Sequence, residues 1–162
     1  MMRELTSLWH SVGDAEYLHL LLEPLPMFGL GLGLLFLVAS VVLGEKKTRL
    51  LALVVMAVSC ASVQPYVRLR VKSEPRVLAL QDPAYHALIR VQTERRSGSA
   101  WLYYALAAVC VTNLLMGRGG KALILTVITV VTCSGGFVHA VWLHKKECEV
   151  YHRNIVKYAP VR

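Results

Sequence analysis

The chain has 162 residues, of which 56% are hydrophobic and 17% charged, with a formal net charge of +8 and a mean hydropathy of +0.50. Soluble domains sit near ~45–50% apolar and ~25% charged, and here the charges are also clumped. No charge falls between Met27 and Leu43, Leu50 and Val67, Trp101 and Met116, or Ala122 and Leu143. That pattern excludes a disordered chain, a nucleic-acid module and an ordinary soluble enzyme.

Before the first apolar run the charges are mixed (Arg3, Glu4, Asp14, Glu16, Glu23) and three more apolar runs follow, so the opening reads as part of the fold rather than a cleavable signal. Asp14 is placed to cap a short helix over Ala15 to Leu22 at the membrane surface, which Pro24 and Pro26 then stop or kink. About 20 apolar residues at ~1.5 Å each cross the ~30 Å hydrocarbon layer. The four runs therefore predict helical spans at approximately 25–44, 48–67, 100–117 and 121–143, since an open strand would leave backbone groups unpaired in lipid. Gly44 with the charged turn to Arg49, and the Gly117–Lys121 turn, are short enough to make antiparallel pairs of spans one and two and of spans three and four.

Segment 68–99 is the most organised polar part. Tyr66 to Lys72 alternates apolar and basic residues and predicts an extended stretch. Asp82-Pro83 then reads as N-cap and first helical residue of an amphipathic, interfacial helix. Ala84, Ala87, Leu88 and Val91 form its apolar stripe, and His86, Arg90, Thr93 and Glu94 lie on another face. Ser97-Gly98-Ser99 reads as the link into span three. Arg68, Arg70, Lys72, Arg90, Arg95 and Arg96 are the basic residues expected to face anionic lipid headgroups. The tail, 144–162, keeps helical spacing in Cys148, Tyr151, Ile155 and Tyr158, with Glu149 and Arg153 as an i,i+4 pair. The expected architecture is all-α: a single membrane domain over 1–162, a four-helix bundle of two helical hairpins, with an interfacial amphipathic helix between spans two and three and a helical C-terminal extension.

Four spans place both termini on one side. Thirteen of the 18 basic residues flank the spans on that side and five lie in the two turns, which favours a cytoplasmic location for the termini. The expected setting is a bacterial inner membrane.

Among six histidines, His139 stands inside an apolar run, where an ionisable group is a functional candidate because burying it is costly. As a haem or quinone ligand it would need a partner such as His86 or His19. As a structural residue it would be neutral and hydrogen-bonded near the interface. Cys60, Cys110, Cys133 and Cys148 show neither CxxC nor zinc spacing and read as small apolar packing residues. Gly29 and Gly33, and Gly136 and Ala140, are small-x3-small pairs that favour close helix contact, and Asn113 is placed to hydrogen-bond across the bundle. No nucleophile–base pair, P-loop, GxGxxG turn or paired carboxylate falls within a span.

The segment Leu21 to Gly29, together with Gln64-Pro65-Tyr66, Glu94-Arg95-Arg96 and Gly135-Gly136, resembles a family of small bacterial four-helix membrane proteins with a b-type-cytochrome-like bundle. The resemblance implies the bundle. It also implies haem binding only where the family's histidines are kept, and those positions hold Pro24 and about Arg96 in this chain. The sequence reading is thus a non-catalytic protein without a cofactor, an accessory, structural or assembly subunit whose partners are the bilayer and other membrane subunits, not nucleic acid. The alternative is a redox protein holding haem b or quinone through His139 with His86 or His19.

Overall fold

A computed structural model describes residues 11, 13–117 and 119–151, and every regular element among them is helical. In chain order they are α1 (Ala15–Leu22), α2 (Leu25–Leu43), α3 (Lys46–Ala61), α4 (Val63–Leu80), a 3-10 turn (Pro83–Tyr85), α5 (His86–Met116) and α6 (Lys121–Tyr151). Four helical stretches, Tyr17–Leu43, Lys46–Leu80, Pro83–Met116 and Lys121–Tyr151, are long and apolar enough to cross a membrane. The first of them joins α1 and α2, and the second joins α3 and α4.

Around the bundle α2 packs on α3, α3 on α5, α5 on α6, and α6 back on α2, closing a four-helix ring. α1 lies against α4, and α4 against α5. The inward positions of α6 are Thr126, Thr129, Cys133, Gly136, Ala140, Leu143 and Glu147, alternating by three and four residues. That 3.5-residue repeat keeps one seam against its neighbours, as in a left-handed bundle. Leu30, Leu37, Leu53, Met56, Tyr66, Tyr103 and Leu106 fill the centre, while most large apolar side chains face outward. An outward apolar surface of this extent is what lipid or another protein covers.

The turns follow the sequence reading. Gly44 takes φ 68°, a left-handed cap whose N–H reaches the Ser40 carbonyl side of the helix end. Asp82 accepts from the Ala84 N–H at 2.9 Å, with Pro83 opening the turn. Asp14 lies beside α1, and its carboxylate pairs with Arg76 at 3.0 Å.

The middle segment departs from the sequence reading in three ways. Tyr66 to Lys72 is helical, not extended. The helix pauses at Ser62, where the missing N–H of Pro65 interrupts the ladder, then runs on to Leu80 with Val63, Tyr66, Arg70 and Ser73 inward. No separate interfacial helix stands before span three, because α5 is continuous from His86 to Met116. Ser97-Gly98-Ser99 sits within it, with Ser99 donating to the Arg95 carbonyl at 2.8 Å. The expected apolar stripe faces outward: Ala84, Ala87, Leu88 and Val91 are exposed, while Ile89, Gln92, Thr93 and Arg96 are buried. α6 continues past Leu143 as expected. Its Glu149 pairs with Lys146 at 2.7 Å, while Arg153, Ile155 and Tyr158 lie outside the described residues.

Candidate functional site

Two arginines expected at the headgroups are drawn inside. Arg70 and Arg96 are only 5% and 6% exposed, and between them stands Glu147 at 3%. Arg70 donates to one Glu147 carboxylate oxygen and Arg96 to the other. Glu23 adds a second carboxylate, 3.6 Å from the Arg96 guanidinium. The four groups come from α4, α5, α6 and the α1–α2 junction. Each guanidinium faces a carboxylate, and such pairing is what holding charged groups away from water requires.

Secondary contacts fix the two guanidiniums. Arg70 Nη1 donates to the Tyr66 hydroxyl at 2.6 Å and its Nε to Thr93 Oγ1 at 3.4 Å. Both guanidiniums lie over the Tyr66 ring, at 6.0 Å for Arg70 and 5.6 Å for Arg96. Ser73 donates to the Arg70 carbonyl and meets His19 Nδ1 at 3.3 Å. Gln92 donates to the Lys146 carbonyl at 3.2 Å, tying α5 to α6 beside the cluster.

All four charged groups lie just beyond the uncharged runs, at the bundle end that carries the α4–α5 connection. The geometry makes an ionic clasp. Glu23, His144 and Glu147 place one ligand atom each within 4.8 Å of one another, a spacing that suits a cation. Two guanidiniums already occupy the Glu147 oxygens, and their positive charge opposes a metal there.

The three histidines of the sequence reading are not brought together. His139 is half-buried between Tyr103 and Trp142, with ring centroids 6.5 and 5.6 Å away. His86 Nε2 donates to the Gln81 carbonyl of its own loop, 3.1 Å away. It precedes Tyr103 by 17 residues on the same helix, or ~25 Å along the axis, too far to share an iron with His139. His19 belongs to the clasp, packed on Tyr66 at 6.3 Å. Pro24 forms the N-cap of α2, and Arg96 is in the clasp.

At the packing positions, a side chain on Gly29 would collide with Ser59, one on Gly33 with Met56, and one on Gly136 with Leu106. Ala140 is buried one helical turn beyond Gly136. Asn113 joins α5 to its neighbours at the opposite end, donating to Thr129 Oγ1 at 2.9 Å and accepting from Arg49 Nη2 at 2.6 Å. Arg68, Lys72 and Arg90 are exposed, and Arg95 lies over the Trp142 ring at 5.3 Å. Cys110 and Cys133 are free thiols in contact at 3.7 Å inside the core.

Sequence reasoning missed Glu147 and Glu23, and misplaced Arg70 and Arg96, because charged types read as solvent-facing. One signal was available: Glu147 extends the seven-residue register of Thr126, Cys133 and Ala140. Compared with known proteins, the chain matches no family model, no curated protein and no solved structure.

Proposed function

We propose that this chain is a non-catalytic integral membrane protein that works through contacts, as an accessory or assembly subunit of a larger membrane complex. The observation that carries the proposal is the clasp. The most deeply buried charged groups are spent on one another, in an ion-pair network that ties α4, α5, α6 and the α1–α2 junction together at one end of the bundle. Such a network favours one arrangement of the helices and offers a substrate neither a free base nor an open nucleophile. The outward faces are then the working surface. Trp101, 68% exposed, and Phe28, 59% exposed, stand on them, and lipid or partner helices bury them. Basic residues concentrated on one side favour cytoplasmic termini in a bacterial inner membrane.

The test is purification in mild detergent. A stoichiometric membrane partner, recovered again when that partner carries the tag, is the expected result. A particle with the mass of this chain and detergent alone, under every mild condition, would overturn the proposal.

A second reading has one observation in its favour. The Tyr103 hydroxyl and His139 Nε2 are buried with no hydrogen-bond partner among the described residues, and their rings are neighbours. Two such groups suit the carbonyl of a quinone better than a haem iron, for which His139 has no opposing histidine among the described residues. An absorption spectrum decides the haem form: a reduced-minus-oxidised Soret band lost in His139→Ala would establish it.

A further inference from the structure

At the end opposite the clasp, a cleft of about 540 Å³ opens among Lys46, Arg49, Leu53, Asn113, Gly117 and Ala122. Beside it lies a hollow of about 190 Å³ that shares Lys46, Arg49 and Ala122 with it and adds Val41, Leu123 and Thr126. Those last three residues also line a groove of about 190 Å³ between α2 and α6, with walls of Val38, Val42, Val127, Val130 and Val131. The three spaces therefore adjoin in series, each sharing wall residues with the next. They pass from a basic mouth at the helix ends to an apolar slot that follows α6 from Leu123 to Val131, ~12 Å along its axis.

The mouth is built for an anion. Arg49 Nε is buried and finds no hydrogen-bond partner among the described residues, although Nη2 of the same guanidinium is held by Asn113. Asn113 lines the mouth and is itself 1% exposed, so the guanidinium has a fixed anchor. α3 and α6 both begin here, and Glu45, the N-cap of α3, makes no side-chain cap bond. Uncapped amides and the positive end of a helix dipole favour negative charge. One acidic residue, Glu45, also borders the middle hollow, and Lys46 beside it balances its charge.

We propose that these adjoining spaces together form a phospholipid site. The phosphodiester binds at Arg49 and Lys46, and one acyl chain lies in the valine-lined groove between α2 and α6. The order of the chemistry argues for a lipid over a free anion: the apolar slot begins where the basic mouth ends, and its outward valines are exposed (Val42 78%, Val131 66%). The site rests on lipid surrounding the bundle, not on the accessory role, and it survives if no protein partner is found.

The test is native mass spectrometry of the detergent-purified chain with phosphatidylglycerol, diacylglycerol and glycerol phosphate as separate probes. The expected result is one phosphatidylglycerol per chain, with neither diacylglycerol nor glycerol phosphate matching its occupancy. Arg49→Gln is expected to weaken binding roughly tenfold, the loss of one charge-assisted bond. Lys46→Gln, at an exposed position, should weaken it less. Val127→Trp, which fills the groove from its lipid-facing side, should weaken phosphatidylglycerol binding without changing the helical circular-dichroism spectrum. Equal binding of diacylglycerol would remove the phosphate contact. Equal binding of glycerol phosphate would make the site a free-anion site. Unchanged binding in Lys46→Gln and Val127→Trp, both folded, would overturn the site altogether.

Discussion

Glu147 is the single residue on which most of the bundle's charged end depends. Its two oxygens face Arg70 and Arg96 in a space that water barely reaches. Removing one member of a buried pair costs about 3–5 kcal/mol, because the charge left behind is neither solvated nor matched. Glu147→Gln is therefore expected to lower the unfolding free energy by about that amount in detergent. Arg96→Gln in the Glu147→Gln background should cost less than the two changes summed, since the second substitution removes a charge the first had stranded. Strict additivity in that cycle would mean the two groups are not coupled. The clasp was the least legible part of the sequence. A buried arginine and an exposed one are the same letter, and only position within a helical register separates them.

At the scale of the element, the apolar runs announced the four long helices and the glycine-containing turns announced their pairing. The middle segment was misread for a physical reason. Alternation of apolar and basic residues signals a strand only if basic means exposed, and Arg70 breaks that equivalence. Once Arg70 counts as an inward residue, Val63, Tyr66, Arg70 and Ser73 show helical spacing. Close approach of α2 and α3 was legible in the glycines, and it yields a prediction. A methyl group on Gly29 meets both Cβ and Oγ of Ser59, atoms too near the α3 backbone to swing aside. Gly29→Ala should therefore part the two helices and cost about 1–3 kcal/mol. Combining it with Ser59→Gly should restore most of the loss in thermal stability. If the second change adds further damage instead, α2 and α3 do not touch at this point.

For the whole molecule, the balance of surfaces is consistent with a multi-pass membrane protein. The ring of helices buries a narrow seam and turns leucine, valine and phenylalanine outward over most of its girth. A chain with this surface is expected to stay in the pellet after alkaline carbonate washing of membranes and to leave it only with detergent. Release by carbonate alone would contradict the membrane placement. The sequence was sufficient to mark four helices long and apolar enough to cross a membrane, because bulk hydropathy requires no knowledge of which residues touch.

The spacing between the two polar ends has a mechanical consequence. Arg49 and Arg70 sit on one nearly continuous stretch, 21 residues apart, which is ~31 Å along the axis, close to the ~30 Å of a bilayer's oily interior. In a bilayer, the charged groups at either end would act as stops on a ruler of fixed length. A thicker sheet of lipid would have to dimple around the protein and a thinner one would have to swell, at a fraction of a kcal/mol for each ångström of misfit. The same two stops that hold the helices in register would thus also sort the molecule towards membranes of matching thickness.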